Sequence, residues 1–331
     1  MRICILCQGE LDLMKKISIV IPCYNEEENI FLLYQVLTDL MEQELSGYQY
    51  EILFVDNKSQ DASRSLIREL CNKDKRVKAI FNRVNCGPNT NCFFGLRESD
   101  GDCSILLYAD FQEPIEMIPV MVRKWEEGNK VVCMVKNHSE ENKFVYFCRE
   151  IYYRIFKSMS SVSQIKQFTG FGLYDRSFIE ILRSLHDATP FLKGIVAEYA
   201  PDHVEILYTQ QKRKGGKSSL NFWGYYDSAM LSFTSYTKNG LRVANVGGVI
   251  IALISFIFAL VYLCLKLVHW NTFVAGNIPI LLSVLFLGGC QLFFIGLVGE
   301  YVMSINTRVI DRPMVMEEER LNFNKDMEDA E

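Results

Sequence analysis

The sequence predicts an α/β fold, a mostly parallel, doubly wound sheet followed by an amphipathic helix at a bilayer surface and a two-helix transmembrane hairpin. Three observations predict it. From residue 14 to about 210, short apolar runs alternate with amphipathic stretches, the pattern of a parallel sheet covered by helices. Near the C-terminus two long stretches carry no formal charge. Polar clusters stand at the ends of three apolar runs, where open α/β sheets gather their ligands.

Residues 1–13 fit no part of this pattern and are set apart as an N-terminal extension, with Met14 as an alternative start. The opening "MRICILCQGELDLMKK" has a very short apolar run followed by acids, unlike a signal peptide. Residues 14–220 are therefore expected as a cytosolic domain. Its strands are expected at 17–22 (ISIVIP), 51–56 (EILFVD), 77–81 (VKAIF), 104–109 (SILLYA) and 130–135 (KVVCMV), with helices between them.

Residues 221–240 place Phe222, Tyr226, Ala229, Met230 and Phe233 on one helical face, as in a helix lying on a bilayer. The competing reading is a core helix of the preceding domain. Residues 241–305 hold the expected hairpin. Arg242 and Lys266 enclose 23 uncharged residues, about 35 Å as helix against roughly 30 Å of hydrocarbon. Ile278 to Val298 adds 21 more, about 31 Å, with Gly288, Gly289, Gly296 and Gly299 available for close packing. The spans are expected at about 243–265 and 278–300. Lys238 and Arg242 precede the first, and Arg308 and Arg312 follow the second, so both ends face the cytoplasm. The tail, 306–331, contains "EEER" and "KDMEDAE" and is expected to be solvated and frayed.

A net charge of −5 excludes nucleic acid as the main partner, since backbone phosphates demand a concentrated basic face. Eleven cysteines, an odd number with no CxxC pair, read as free thiols in a reducing compartment.

Three strand ends carry the chemistry: "PCYNEEEN" (22–29), "VDNKSQDAS" (55–63) and "ADFQEP" (109–114). Pro22 and Tyr24 offer surfaces for a flat base, and Asp56 stands where it can accept a hydrogen bond from an imide N–H. Asn25, Ser59 and Asp61 are equally good helix caps. Asp110, Gln112 and Glu113 are oxygen donors suited to Mg²⁺ or Mn²⁺ beside substrate phosphates, or else an acidic turn before Pro114.

"ISIVIPCYNEEENI", "ILFVDNKSQDAS", "YADFQEPIEMI", "FTGFGLYDRSFIEIL", "TPFLKGIVAE" and "KRKGGKSSL", followed by two spans, resemble the inverting family 2 glycosyltransferases that charge a polyprenyl phosphate. Bacterial undecaprenyl-phosphate glucosyltransferases and dolichyl-phosphate mannose synthases are examples. The likeness runs in consistent order from residue 16 to about 312. It implies a GT-A (Rossmann-like) fold and a divalent cation, Mg²⁺ or Mn²⁺. It implies transfer of a hexose from a UDP- or GDP-sugar to undecaprenyl or dolichyl phosphate, with UDP and undecaprenyl favoured. The reaction would lie at the cytoplasmic membrane face and serve cell-envelope glycan modification, and the chain would form a homo-oligomer. Carried over by position, Pro22, Tyr24, Glu26 and Asp56 fall on nucleotide-binding residues, and Asp110 and Gln112 on the metal and diphosphate residues.

Two departures from the family pattern stand out. The usual Asp-Ala-Asp reads Tyr108-Ala109-Asp110, and the usual Gly-Asp-Phe reads Thr169-Gly170-Phe171, which removes an Asp often discussed as a base. A phosphate monoester is largely dianionic at pH 7, so the acceptor is a nucleophile without one. Asp175 or Glu198 could still orient the sugar. Two anions must meet, and cations offset their repulsion. Arg213 and Lys217 in "QKRKGGKSS", with Arg149, are expected around the acceptor phosphate. Lys212 and Lys214 suit anionic headgroups, Arg154 accompanies Arg149, and Lys193 is a further cation. Asp110, Gln112, Arg213 and Lys217 thus form the expected catalytic set.

Two other functions compete. A processive polysaccharide synthase would carry Gln-x-x-Arg-Trp and more spans, whereas Trp occurs only at 125, 223 and 270. A non-catalytic, membrane-tethered assembly subunit would account for Tyr108 and Gly170.

Overall fold

The structure is a computed structural model that describes residues 14–137, 165–211, 230–231, 234, 239–268, 277–310 and 312–323. The N-terminal extension and most of the expected interfacial helix lie outside the described residues. The chain divides into two units, one holding residues 1–143, 163–219 and 311–331, the other 144–162 and 220–310.

The first unit is built on β1 (Lys16–Cys23), α1 (Ile30–Glu44), β2 (Gln49–Asp56), α2 (Ser63–Lys73), β3 (Val77–Asn82), α3 (Pro88–Glu98) and β4 (Cys103–Leu106). There follow α4 (Ile118–Glu126), β5 (Val131–Lys136), β6 (Phe168–Asp175), α5 (Arg176–Ser184), α6 (Leu192–Tyr199) and β7 (Val204–Tyr208). Eight strands form one sheet in the order β7-β5-β6-β4-β1-β2-β3-β8, the last being β8 (Glu317–Leu321). β1 pairs in parallel with β2 and β4, β2 with β3, and β5 with β7.

The central strands are apolar on both faces because helices cover both. Ile17, Ile19 and Ile21 pack with Leu33, Leu37 and Met41 of α1. Val20, Leu53 and Val55 point the other way and pack with Phe93 and Leu96 of α3, as the two-residue period of a strand requires. One polar anchor closes the sheet at the edge remote from the strand tips. Glu51, nearly inaccessible, meets Lys16 at 2.5 Å and Lys78 at 2.9 Å. Burial alone would raise its pKa, yet the two ammonium groups and a hydrogen bond from Ser18 bring it down to about 2.

The structure corrects the sequence reading in several places. β4 stops at Leu106 rather than 109. Leu107 still donates to the Val20 carbonyl at 3.0 Å, and the chain then turns, reaching a φ of +56° at Phe111. β6 and β7 are both unforeseen as strands: β6 inserts antiparallel between β4 and β5, and β7 pairs in parallel with β5 at one sheet edge. The tail expected to fray instead supplies β8, antiparallel to β3 at the sheet edge.

In the second unit α7 (Asn239–Val268) and α8 (Asn277–Val309) are the long helices. α8 runs beyond the expected end of its span. Phe286–Val309 is long and apolar enough to cross a membrane, while in α7 the comparable stretch, Gly248–Phe258, is shorter. Phe256 and Phe258 on α7 and Phe293 and Ile295 on α8 are exposed.

Candidate active site

The C-terminal tips of β1 and β2 are stapled side by side. Pro22 lies opposite Val55 and Cys23 opposite Asp56. Asn25 takes a φ of +56°, which Asn tolerates better than most residues. Its N–H donates to Ser59 Oγ at 2.9 Å, and its Oδ1 accepts from the Gln60 N–H at 2.8 Å. The Glu26 N–H donates to Ser63 Oγ at 2.8 Å, and the Glu26 carboxylate accepts from Asn29 Nδ2 at 2.7 Å. The Glu27 N–H donates to Asp61 Oδ2 at 3.2 Å. Asn25 and Ser59, which the sequence offered as caps, join two loops instead; Asp61 joins them too and also accepts from the Ser63 N–H at 3.0 Å, while Ala62 holds the N-cap position of α2. Tyr24 stays half-exposed beside them.

Asp56 is fully buried at the end of β2. Desolvation raises its pKa, opposed by the Ser59 N–H at 3.3 Å and by Arg64, whose Nε lies 3.3 Å from Oδ2. Below it runs an amide network that sequence reasoning missed. Asn82 donates to Asn91 at 2.9 Å, Asn91 to the Val55 carbonyl at 2.9 Å, and the Cys86 N–H to Asn57 Oδ1 at 2.9 Å. The signal was present in the run "NRVNCGPNTN", since buried amides persist only when hydrogen-bonded.

On the other side of β1, the turn after β4 carries Asp110 and Glu113, both buried. Asp110 Oδ1 accepts from the Gln112 N–H at 3.2 Å. The Gln112 carbonyl accepts from the Gln211 N–H at 2.9 Å, so the chain leaving β7 is bonded to the acidic turn. Glu113 and the Tyr208 hydroxyl are both buried and interact with each other, short of ideal hydrogen-bond alignment. Burial, then the charge of Asp110, push Glu113 up to about 7. Lys193, half-buried at the start of α6, is pushed down to about 8 by burial and then by Lys136.

A cluster of three or more His, Cys, Asp or Glu is absent among the described residues, which argues against a site made wholly of protein ligands. Mg²⁺ and Mn²⁺ need fewer, taking one or two carboxylates plus substrate oxygens. Asp110, Glu113 and the Gln112 amide fit that demand as an oxygen-only donor set, and two neighbouring buried carboxyls are a place where a cation's charge would be favourable.

Asp175 does not join the site. It lies opposite Cys103, at the start of β4 and so at the far rim of the sheet. There it caps α5 through the Ser177 N–H at 3.0 Å and accepts from Trp125 Nε1 at 2.8 Å. Burial would raise its pKa, but these hydrogen bonds and Lys130 hold it low. Glu198 is exposed on α6. Arg149, Arg154, Lys212, Arg213, Lys214 and Lys217 lie outside the described residues.

Residues 18–187 match the family described as glycosyl transferase family 2. The SfII prophage-derived bactoprenol glucosyl transferase of Shigella flexneri is 33% identical, covering 90% of this chain and 96% of that protein. The prophage bactoprenol glucosyl transferase homolog of Escherichia coli K12 is 30% identical, covering 90% and 97%. Among solved structures, glucosyl-3-phosphoglycerate synthase of Mycobacterium tuberculosis is 15% identical over 66% of this chain and 78% of that one. Its TM-score of 0.49 is too low to add to the assignment. The family match and the near full-length relatives decide the matter: this chain is a glycosyltransferase and belongs to glycosyl transferase family 2.

Proposed function

We propose that the protein transfers a hexose, glucose first among candidates, from a UDP-sugar to a polyprenyl phosphate, undecaprenyl phosphate first. The names of relatives that match over nine-tenths of this chain support the sugar and the lipid. In the reaction the bond from the anomeric carbon to the nucleotide diphosphate breaks, and a phosphate oxygen of the lipid takes its place from the opposite face. The configuration inverts and the nucleoside diphosphate leaves.

Each tip of the sheet has a part. Pro22 and Tyr24 flank the base, Asp56 accepts its imide N–H, and Glu26 closes the nucleotide end of the site. Asp110 and Gln112, joined by Glu113, would hold Mg²⁺ or Mn²⁺. The cation, when bound, offsets the charge of the departing diphosphate. Arg213 and Lys217, with Arg149, receive the acceptor phosphate and reduce the repulsion between two anions. A dianionic phosphate needs no strong base, which accommodates Gly170 where the family pattern usually has Asp.

The observation that carries this reading is the 2.9 Å bond between Gln211 and Gln112. That bond ties the chain leaving β7 to the acidic turn. We place α7 and α8 as a membrane hairpin with the sheet on the cytoplasmic side, and the chain in a homo-oligomer.

A donor panel tests the proposal. Purified full-length protein with Mg²⁺ or Mn²⁺ is given radiolabelled UDP- and GDP-sugars and either undecaprenyl or dolichyl phosphate. UDP-glucose with undecaprenyl phosphate is expected to give the most organic-phase label. A long polymer, or label from no donor, would overturn the proposal.

A further inference from the structure

β8 does more than cover an edge. It begins eight residues after the last residue of α8 and pairs Phe81 with Glu319, Ile80 with Arg320 and Ala79 with Leu321. The Met316 carbonyl accepts from the Arg83 N–H at 2.7 Å, and Asn322 Nδ2 donates to the carbonyls of Cys71 and Val77 at 2.7 and 2.8 Å. This strand brings a carboxylate to the far side of Arg64. Glu318 Oε2 lies 3.1 Å from Arg64 Nη2 and 3.1 Å from Lys58 Nζ. Arg64 Nε lies 3.3 Å from Asp56.

The guanidinium is therefore caught between two carboxylates. It is largely buried, rests 5.1 Å over the Phe81 ring, and its Nε and Nη2 reach ion-pair distance without hydrogen-bond alignment. An unrestrained Arg beside a buried Asp would turn its planar fork to bind both carboxylate oxygens. That arrangement would occupy the oxygens that an imide N–H needs. Glu318 engages Nη2 at 3.1 Å, and Nε is the guanidinium nitrogen nearest Asp56.

We propose that Glu318 is a positioning residue of the donor site, restraining Arg64 so that Asp56 keeps an oxygen for the nucleotide base. The segment that follows the second long helix thus contributes to donor binding. This rests on the reading of Asp56 as the base acceptor.

The test uses full-length protein in detergent with Mg²⁺, titrated calorimetrically with UDP and with GDP, the tighter of the two being carried forward. Glu318→Gln is expected to weaken binding about threefold to tenfold, the range of a partly exposed ion pair with some amplification from the buried partner. kcat at saturating donor should stay within about twofold of wild type. Arg64→Lys, which keeps charge but cannot bridge two carboxylates, should weaken binding similarly. Glu319→Gln removes the neighbouring 2.7 Å pair with Arg68 and should leave nucleotide affinity unchanged. Equal losses in Glu318→Gln and Glu319→Gln would show β8 to be merely structural and overturn the proposal. So would wild-type affinity in Glu318→Gln when Asp56→Asn binds poorly. Wild-type affinity in Asp56→Asn would instead remove the reading of the base pocket, and this proposal with it.

Discussion

The Tyr108 hydroxyl donates to the Thr169 carbonyl at 2.9 Å and lies 3.2 Å from where a Cβ on Gly170 would stand. The two departures from the family pattern are thus neighbours. The aromatic side chain on one fills space that a side chain on the other would need. Gly170 also has a φ of +108°, which L-residues adopt only at a cost.

From this contact, Gly170→Asp, which restores the more usual residue, is expected to destabilise the protein by about 1–3 kcal/mol and to lower turnover. Tyr108→Phe should cost about 1 kcal/mol through the lost hydrogen bond. Urea unfolding of the two variants checks both figures. A Gly170→Asp protein of wild-type stability and higher turnover would refute the pairing.

Glu113 gives an effect of opposite signs on stability and on cation binding. Its folded pKa of about 7 exceeds the ordinary carboxyl value, so it costs stability as pH rises from about 4.5, and the full cost is present above 7. Glu113→Gln should therefore raise the stability of metal-free protein at pH 8 by about 1–3 kcal/mol. The same change should reduce the thermal shift produced by Mn²⁺, with affinity down about tenfold or more. Differential scanning with and without Mn²⁺ reads both.

Glu51 behaves in the other direction. Its pKa is depressed to about 2, so its stabilisation is fully present above about pH 4.5 and is lost as pH falls toward 2. The shift corresponds to about 3 kcal/mol. Glu51→Gln should lose about 2–4 kcal/mol at pH 7, since Lys16 and Lys78 are left unpaired. The variant's stability should also vary less between pH 5 and 2, as denaturant titrations across that range would record.

Asp175→Ala is expected to lower stability by about 1–2 kcal/mol through the lost cap and to leave the donor KM unchanged. A raised KM with intact stability would return Asp175 to the site.

The parts of the fold that were legible in sequence are those where local pattern and tertiary role agree. Ile17, Ile19 and Ile21 alternate with Ser18 and Val20 in a β-branched run, and the polar tips at Asp56 and Asp110 follow directly. β6 was hidden because "FTGFGLYD" contains two glycines, which usually interrupt a strand. Gly172 is needed there because a Cβ would fall 2.4 Å from the Val132 carbonyl. β8, "EEERL", has the charge of a solvated tail, yet charge is also how edge strands resist further pairing. Asp175 misled because a carboxylate near a glycine-rich motif looks the same whether it faces ligand or caps a helix. Only the antiparallel direction of β6 sends it to the far rim.

The most direct test of the account compares wild type with the Asp110→Ala, Gln112→Ala double variant, scoring transfer of labelled glucose from UDP-glucose to undecaprenyl phosphate with Mg²⁺ or Mn²⁺. The account predicts organic-phase product from wild type and a loss of about 10²–10³-fold in the folded variant. Unchanged turnover in the variant would contradict it.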